Sequence, residues 1–168
     1  MITLAKSIGG GLGIGAFGGK KEYMDLVTHK HVAHYGTFNA NPLALRATFV
    51  VLKDICTQEN LAPLYQMNEN LGIKLTEIIS KYDIPAHTTI VGAKGSITFS
   101  RKHVRDYRDY KATDFDIALS FWVWGLNRGL VLPPGLDEQW LVSVQHTQEQ
   151  LQIYVDAFES FAIALTQE

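Results

Sequence analysis

Lys6 closes the apolar run Ile2-Thr3-Leu4-Ala5 and is followed at once by Ser7-Ile8-Gly9-Gly10-Gly11. A strand ending at this lysine would hold its amine on a rigid element, with backbone of minimal bulk beside it. Such an amine suits Schiff-base chemistry with a planar carbonyl cofactor. By composition alone, a solvated surface lysine is the commoner reading. A second candidate lies just beyond. Gly13-Ile14-Gly15-Ala16-Phe17-Gly18 matches G-x-G-x-x-G. A dinucleotide loop of that pattern needs a strand before it and a helix opening inside it, and Gly18-Gly19 opposes a helix there. The Walker pattern fails as well, because Ile14 and Lys21 stand where its glycine and hydroxyl should be. His29, His31 and His34 lie close together, but no thiol or carboxylate joins them at ligand spacing, so a solvated loop is favoured over a metal site. Cys56 reads as a small core residue of an apolar helix rather than a nucleophile.

These groups need elements to hold them. Residues 2–6 read as a short strand. Seven of the 14 glycines fall between positions 9 and 19, which predicts a glycine loop and then a short strand near 13–18. Residues 20–27 suit one or two helical turns. Asn41-Pro42 is a helix start, with asparagine as cap and proline at the first position, and the helix is expected over 42–56. Leu61, Leu64, Met67, Leu71, Leu75, Ile78 and Ile79 recur every three or four residues, predicting an amphipathic helix over 60–82 that Pro85 ends. Strands are expected at 88–92, 95–100, 129–132 and 140–144. Thr113 or Asp114 can cap a helix running to Asn127. That helix is apolar nearly all round, which predicts burial on most sides, with Trp122 and Trp124 packing into the core. Pro133-Pro134-Gly135 breaks the chain. Thr147 with Gln150 forms a capping box for a last helix over 148–166.

The chain has 168 residues, 46% of them apolar, with 15 basic against 17 acidic side chains. That balance lacks the basic excess of a nucleic-acid binder. No stretch reaches the roughly 18 uncharged apolar residues of a membrane helix, so no membrane partner is expected. There is no signal-peptide pattern, and a single cysteine excludes an internal disulfide; the cytosol is the expected compartment.

Taken together, the motifs carry a resemblance. Leu4-Ala5-Lys6-Ser7-Ile8-Gly9-Gly10-Gly11-Leu12 with Gly15-Ala16-Phe17-Gly18-Gly19 resembles the cofactor-lysine segment of class III pyridoxal-phosphate aminotransferases. Gly36-Thr37-Phe38-Asn39-Ala40-Asn41-Pro42 is similar to that family's G-T-x-x-x-N-P segment. Asn127-Arg128-Gly129-Leu130-Val131-Leu132-Pro133-Pro134 and Ser143-Val144-Gln145-His146-Thr147 resemble the branch that contains glutamate-1-semialdehyde 2,1-aminomutase. The motifs span the chain in the family's order. Gly13 stands where the family usually has proline, which enlarges unfolded-state freedom without removing a functional group.

The resemblance implies an α/β chain of type I aminotransferase fold, as its C-terminal portion. Residues 1–60 would be the tail of the large cofactor-binding domain, and residues 61–168 the small α+β domain. It implies amino-group transfer through pyridoxal 5'-phosphate, as a transaminase or as an aminomutase acting within one amino-acid or amino-ketone substrate. Lys6 matches the lysine that carries the cofactor as a Schiff base and then shuttles a proton. Thr37 matches the threonine that reaches the cofactor phosphate of the neighbouring subunit, with Gly36 allowing close approach, which implies a homodimer with shared active sites. The family has a long segment before the lysine, with a phosphate loop, a ring-stacking aromatic and an aspartate for the ring nitrogen. This chain is therefore expected to be a fragment lacking that part of the site. A non-catalytic fragment or dimerisation module is the alternative, and a nucleotide-binding protein using the glycine loop is a further one.

Overall fold

The computed structural model describes residues 1–133 and 139–167. The chain divides into two compact units, residues 1–60 and 61–168.

In the first unit, the apolar run after Met1 forms β1 (Ile2–Ala5) and the second glycine stretch forms β2 (Gly15–Gly18). They pair antiparallel, with Ile2 opposite Gly18 and Ala5 opposite Gly15. This geometry removes the nucleotide-loop reading. The glycines of G-x-G-x-x-G lie in and before a hairpin strand, and no helix opens among them. The helix α1 (Lys21–Thr28) begins only after Gly19. Asn41 caps α2 (Pro42–Val50): its Oδ1 accepts from the amides of Leu43 and Ala44, each at 3.1 Å.

The helix expected over 42–56 changes character at Val51. Residues Val51–Ile55 form a π-helical turn, closed by Cys56 N–H donating to Val51 O at 2.8 Å. The wider turn ends the 3.6-residue period that would have put Cys56 on the apolar side. Cys56 is exposed, not a core residue.

The second unit holds the hydrophobic core. α3 (Gln58–Lys81) faces it with Leu64, Leu71, Leu75, Ile78 and Ile79. β3 (His87–Val91), β4 (Lys94–Thr98) and β5 (Gln139–Leu141) form an antiparallel sheet in that order. A short helix, α4 (Tyr107–Tyr110), precedes α5 (Phe115–Leu126), which Asp114 caps through the amides of Asp116 and Ile117. Thr147 and Gln150 make the expected capping box of α6 (Gln148–Thr166). Phe121 is the centre of the core, with its ring 5.2 Å from that of Phe158 and 5.3 Å from that of Phe161.

Two expectations are corrected here. Residues 129–132 are not a strand. Gly129 takes a left-handed conformation, Leu130 N–H donates to Gly125 O at 2.9 Å, and Leu132 O accepts from the Trp122 indole at 3.2 Å. The backbone is spent on ending α5 and seating Trp122, so no ladder forms, and β5 takes the third place in the sheet. Burial of α5 is one-sided: Ala118, Phe121 and Gly125 are buried, whereas Leu119 and Val123 are exposed. Trp122 and Trp124 are half-buried against the core, and the Trp124 indole donates to Ser160 Oγ at 2.9 Å. The Pro134-Gly135 break lies outside the described residues. Among the described residues, no helix is long and apolar enough to cross a membrane.

Unequal burial predicts unequal protection. Every member of the core cluster lies between Leu64 and Ala162, while Ile2 and Leu4 of the hairpin are exposed. A two-stranded ribbon is marginal in water. Hydrogen exchange on the 168-residue chain should show α3, β4, α5 and α6 as the slowest amides and residues 2–18 exchanging early. Uniformly strong protection of residues 2–18 in a monomer would contradict this.

Candidate active site

Lys6 sits where β1 ends. Ala5 is fully extended; Lys6 then turns to φ +57° and opens a single 3-10 turn, Lys6–Gly9. The left-handed region costs a non-glycine residue roughly 1–2 kcal/mol. Gly10, also left-handed, closes the turn by donating to Ser7 O at 3.1 Å, and Leu12 N–H donates to Gly9 O at 3.0 Å. Behind the turn there is no room: a Cβ on Gly9 would lie 2.8 Å from Ile14 Cγ2. The Lys6 side chain is exposed, and among the described residues its amine has no hydrogen-bond or ion-pair partner. A strained backbone thus carries an unengaged amine at the mouth of a glycine turn.

The segment that carries Gly36 and Thr37 is built just as tightly. Asn39 N–H donates to Gly36 O at 3.0 Å, making a turn with Thr37 and Phe38 at its centre. A Cβ on Gly36 would meet Asn39 Oδ1 at 2.6 Å. Ala40 is left-handed at φ +55°, after which Asn41 caps α2. The Thr37 hydroxyl is exposed and without a hydrogen-bond partner among the described residues. All three histidines of the preceding loop are exposed, as a solvated loop requires. His34 nevertheless does a structural job. Its ring meets Phe17 of β2 edge-on at 5.0 Å, and its Nε2 lies 3.5 Å from Asn39 Nδ2.

The two sequence-predicted segments share one cavity of about 330 Å³. Gly13, Ile14 and Gly15 line one side, and His34, Asn39 and Asn41 the other. Lys6 and Thr37 belong to these segments but do not line that cavity, and no hydrogen bond joins them among the described residues. His34 and Asn39 were invisible as partners in the sequence. The left-handed turns at Lys6 and Ala40 carried no signal either, since neither residue type favours that conformation.

The family described as aminotransferase class III matches residues 1–158. The chain belongs to the class III aminotransferases. Among relatives in this family, a glutamate-1-semialdehyde 2,1-aminomutase of Clostridium beijerinckii is 35% identical over 97% of the chain and 38% of its own length. A glutamate-1-semialdehyde 2,1-aminomutase 2 of Halalkalibacterium halodurans is 32% identical over 94% of the chain and 37% of its own length. Among solved structures, a β-phenylalanine aminotransferase from Variovorax paradoxus superposes with a TM-score of 0.84 at 28% identity, over 96% of this chain and 38% of that one. The fold is thus the mixed α/β fold of class III aminotransferases, and the chain spans less than two-fifths of the relatives' length.

Proposed function

We propose that Lys6 is the cofactor lysine of a pyridoxal-phosphate-dependent enzyme that transfers an amino group, either between two substrates or within one as an aminomutase does. The observation that carries this reading is the left-handed, non-glycine Lys6 at a strand end, with its amine unengaged and glycines behind it. Strain of this kind persists where the surrounding structure holds it, and it clusters at functional sites. The site residues fit the group: an exposed amine for an aldehyde, and a turn with an exposed hydroxyl for a phosphate. When bound, pyridoxal phosphate supplies an electrophilic aldehyde and an electron-accepting ring.

In this reading Lys6 would hold the cofactor through Nζ and, when that nitrogen is free, would hold and deliver a proton there. Thr37 would donate its hydroxyl and backbone amide to the cofactor phosphate, and Gly36 would keep the approach free of a side chain. Thr37 acts across a homodimer interface, so two subunits share each site. The exposed Tyr35 and Phe38 beside it, each 82% accessible, support an interface at this turn. Residues 1–60 are read as the tail of the large domain and residues 61–168 as the small domain. The substrate is an amino acid or amino-ketone, and the compartment is the cytosol.

An absorbance scan of the protein carrying this chain, with added pyridoxal phosphate, tests the reading. A visible band that borohydride removes is expected; a folded protein that shows none would refute it. Thr37→Ala should weaken cofactor binding by roughly 1–3 kcal/mol, the range for a hydrogen bond to a charged group. Equal cofactor affinity in monomer and dimer would contradict the cross-subunit role.

A further inference from the structure

The helices of the second unit cover one face of its sheet, where Ile97 of β4, Trp140 of β5 and Phe99 just past β4 are buried. The other face carries hydroxyls in a row. Thr89 pairs with Ser96 across β3 and β4, and Ser96 with Gln139 across β4 and β5. Thr98 lies two residues beyond Ser96, hence on the same face. Tyr110 and Thr113 complete a cavity of about 300 Å³ over this row. Thr113 is only 8% exposed, and its buried Oγ1 has no hydrogen-bond partner among the described residues. Among those residues, the hydroxyls of Thr89, Ser96, Thr98 and Tyr110 have none either. Buried polar groups are paired as a rule, and an orphan calls for an explanation. One buried orphan hydroxyl, Thr113, and four solvent-accessible ones line a single cavity, a set of donors and acceptors suited to a polar ligand.

The segment beside the cavity is net basic. Segment 101–111 contains Arg101, Lys102, Arg105, Arg108 and Lys111 against Asp106 and Asp109. Both carboxylates are engaged. Asp109 pairs with Lys102, and Asp106 accepts from the amides of Arg108 and Asp109 at 2.8 and 3.0 Å. Arg101 is held by Asp83 at 2.8 Å. Arg105, Arg108 and Lys111 have no ion-pair partner among the described residues. Each lies within two positions of a residue that lines the cavity: Arg105 follows Val104, Arg108 precedes Tyr110 by two, and Lys111 lies between Tyr110 and Thr113. Among the described residues, no acidic side chain lines the cavity to repel a negative ligand.

We propose that this cavity binds a small hydroxylated oxyanion, its hydroxyl groups exchanging hydrogen bonds with the Thr and Ser row and its charge met by the cations of 101–111. The site rests on the second unit alone and stands whether or not Lys6 holds a cofactor.

Amide spectra of the full chain, titrated with glycerol 3-phosphate at constant ionic strength, test this. Saturable shifts confined to residues 89, 96–98 and 104–113 are expected. Thr113→Val and Thr98→Val should each weaken binding about tenfold or more, as should Arg108→Ala. Thr113→Val should not lower the melting temperature, since its hydroxyl has no partner to lose. Shifts that sodium chloride reproduces, or that both valine variants leave unchanged, would overturn the proposal. So would the absence of shifts, or glycerol binding as tightly as its phosphate.

Discussion

Borohydride reduction in the presence of pyridoxal phosphate is expected to leave the label on Lys6, and peptide mapping should find little on Lys20, Lys21 or Lys53. Lys6 is the lysine whose backbone is pinned by a strand on one side and a glycine-closed turn on the other. Lysines 20 and 21 open α1, and Lys53 lies in the π-helical turn. Label concentrated on any of those three would sink the assignment. Lys6→Gly separates chemistry from structure. Glycine accepts φ +57° without strain, so folding stability should hold or rise by up to about 1 kcal/mol, offset in part by the freedom glycine adds to the unfolded chain. Label incorporation should disappear, and amino transfer by the protein carrying this chain should fall by at least 10²–10⁴-fold, roughly the share of a positioned acid–base group. A Lys6→Gly variant that is active but unstable would reverse the interpretation.

Asn68→Ala is expected to be the most damaging polar substitution in the second unit. The side chain is completely buried in α3. Its Nδ2 donates to Gly92 O at 2.8 Å and to Lys94 O at 3.1 Å, holding the β3–β4 turn. Its Oδ1 accepts from the Trp140 indole at 2.7 Å, holding β5. One amide therefore ties a helix to the β3–β4 turn, to β4 and to β5. Truncation would orphan the buried Trp140 indole N–H, at roughly 1–3 kcal/mol, and free two carbonyls of the exposed Gly92 and Lys94, so the loss should be about 2–4 kcal/mol. Urea unfolding followed by tryptophan fluorescence measures this. Asn127→Ala, which removes only an exposed bond to Val123 O, is the control and should cost little. A loss below about 1 kcal/mol for Asn68→Ala would show that the network is not what aligns sheet and helix.

The amphipathic stripe of α3, the Asn41-Pro42 start of α2 and the Thr147–Gln150 capping box were readable in the sequence because each is local. A side chain within four positions supplies the bond or the periodicity. The lysine with its glycine cluster and the Gly36–Pro42 segment were readable for another reason: together, in that order, they resemble a family. Nothing local distinguished Asn68 from the polar residues around it on α3. Its partners lie 24, 26 and 72 positions away.

The sequence by itself determined the capped starts of α2 and α6, the apolar stripe of α3 and the family to which the chain belongs. Tertiary structure alone decided the rest. Leu130-Val131-Leu132 has the composition of a strand, yet its carbonyl at 132 goes to Trp122 and its amide at 130 to the end of α5. Cys56 lost its place in an apolar face to one π-helical turn. Lys6 and Ala40 took up a conformation that their own side chains disfavour. At 130–132 the backbone found its partners in α5 rather than in a ladder, and hydrogen bonds made there outweigh a local strand preference worth a few tenths of a kcal/mol to about 1 kcal/mol.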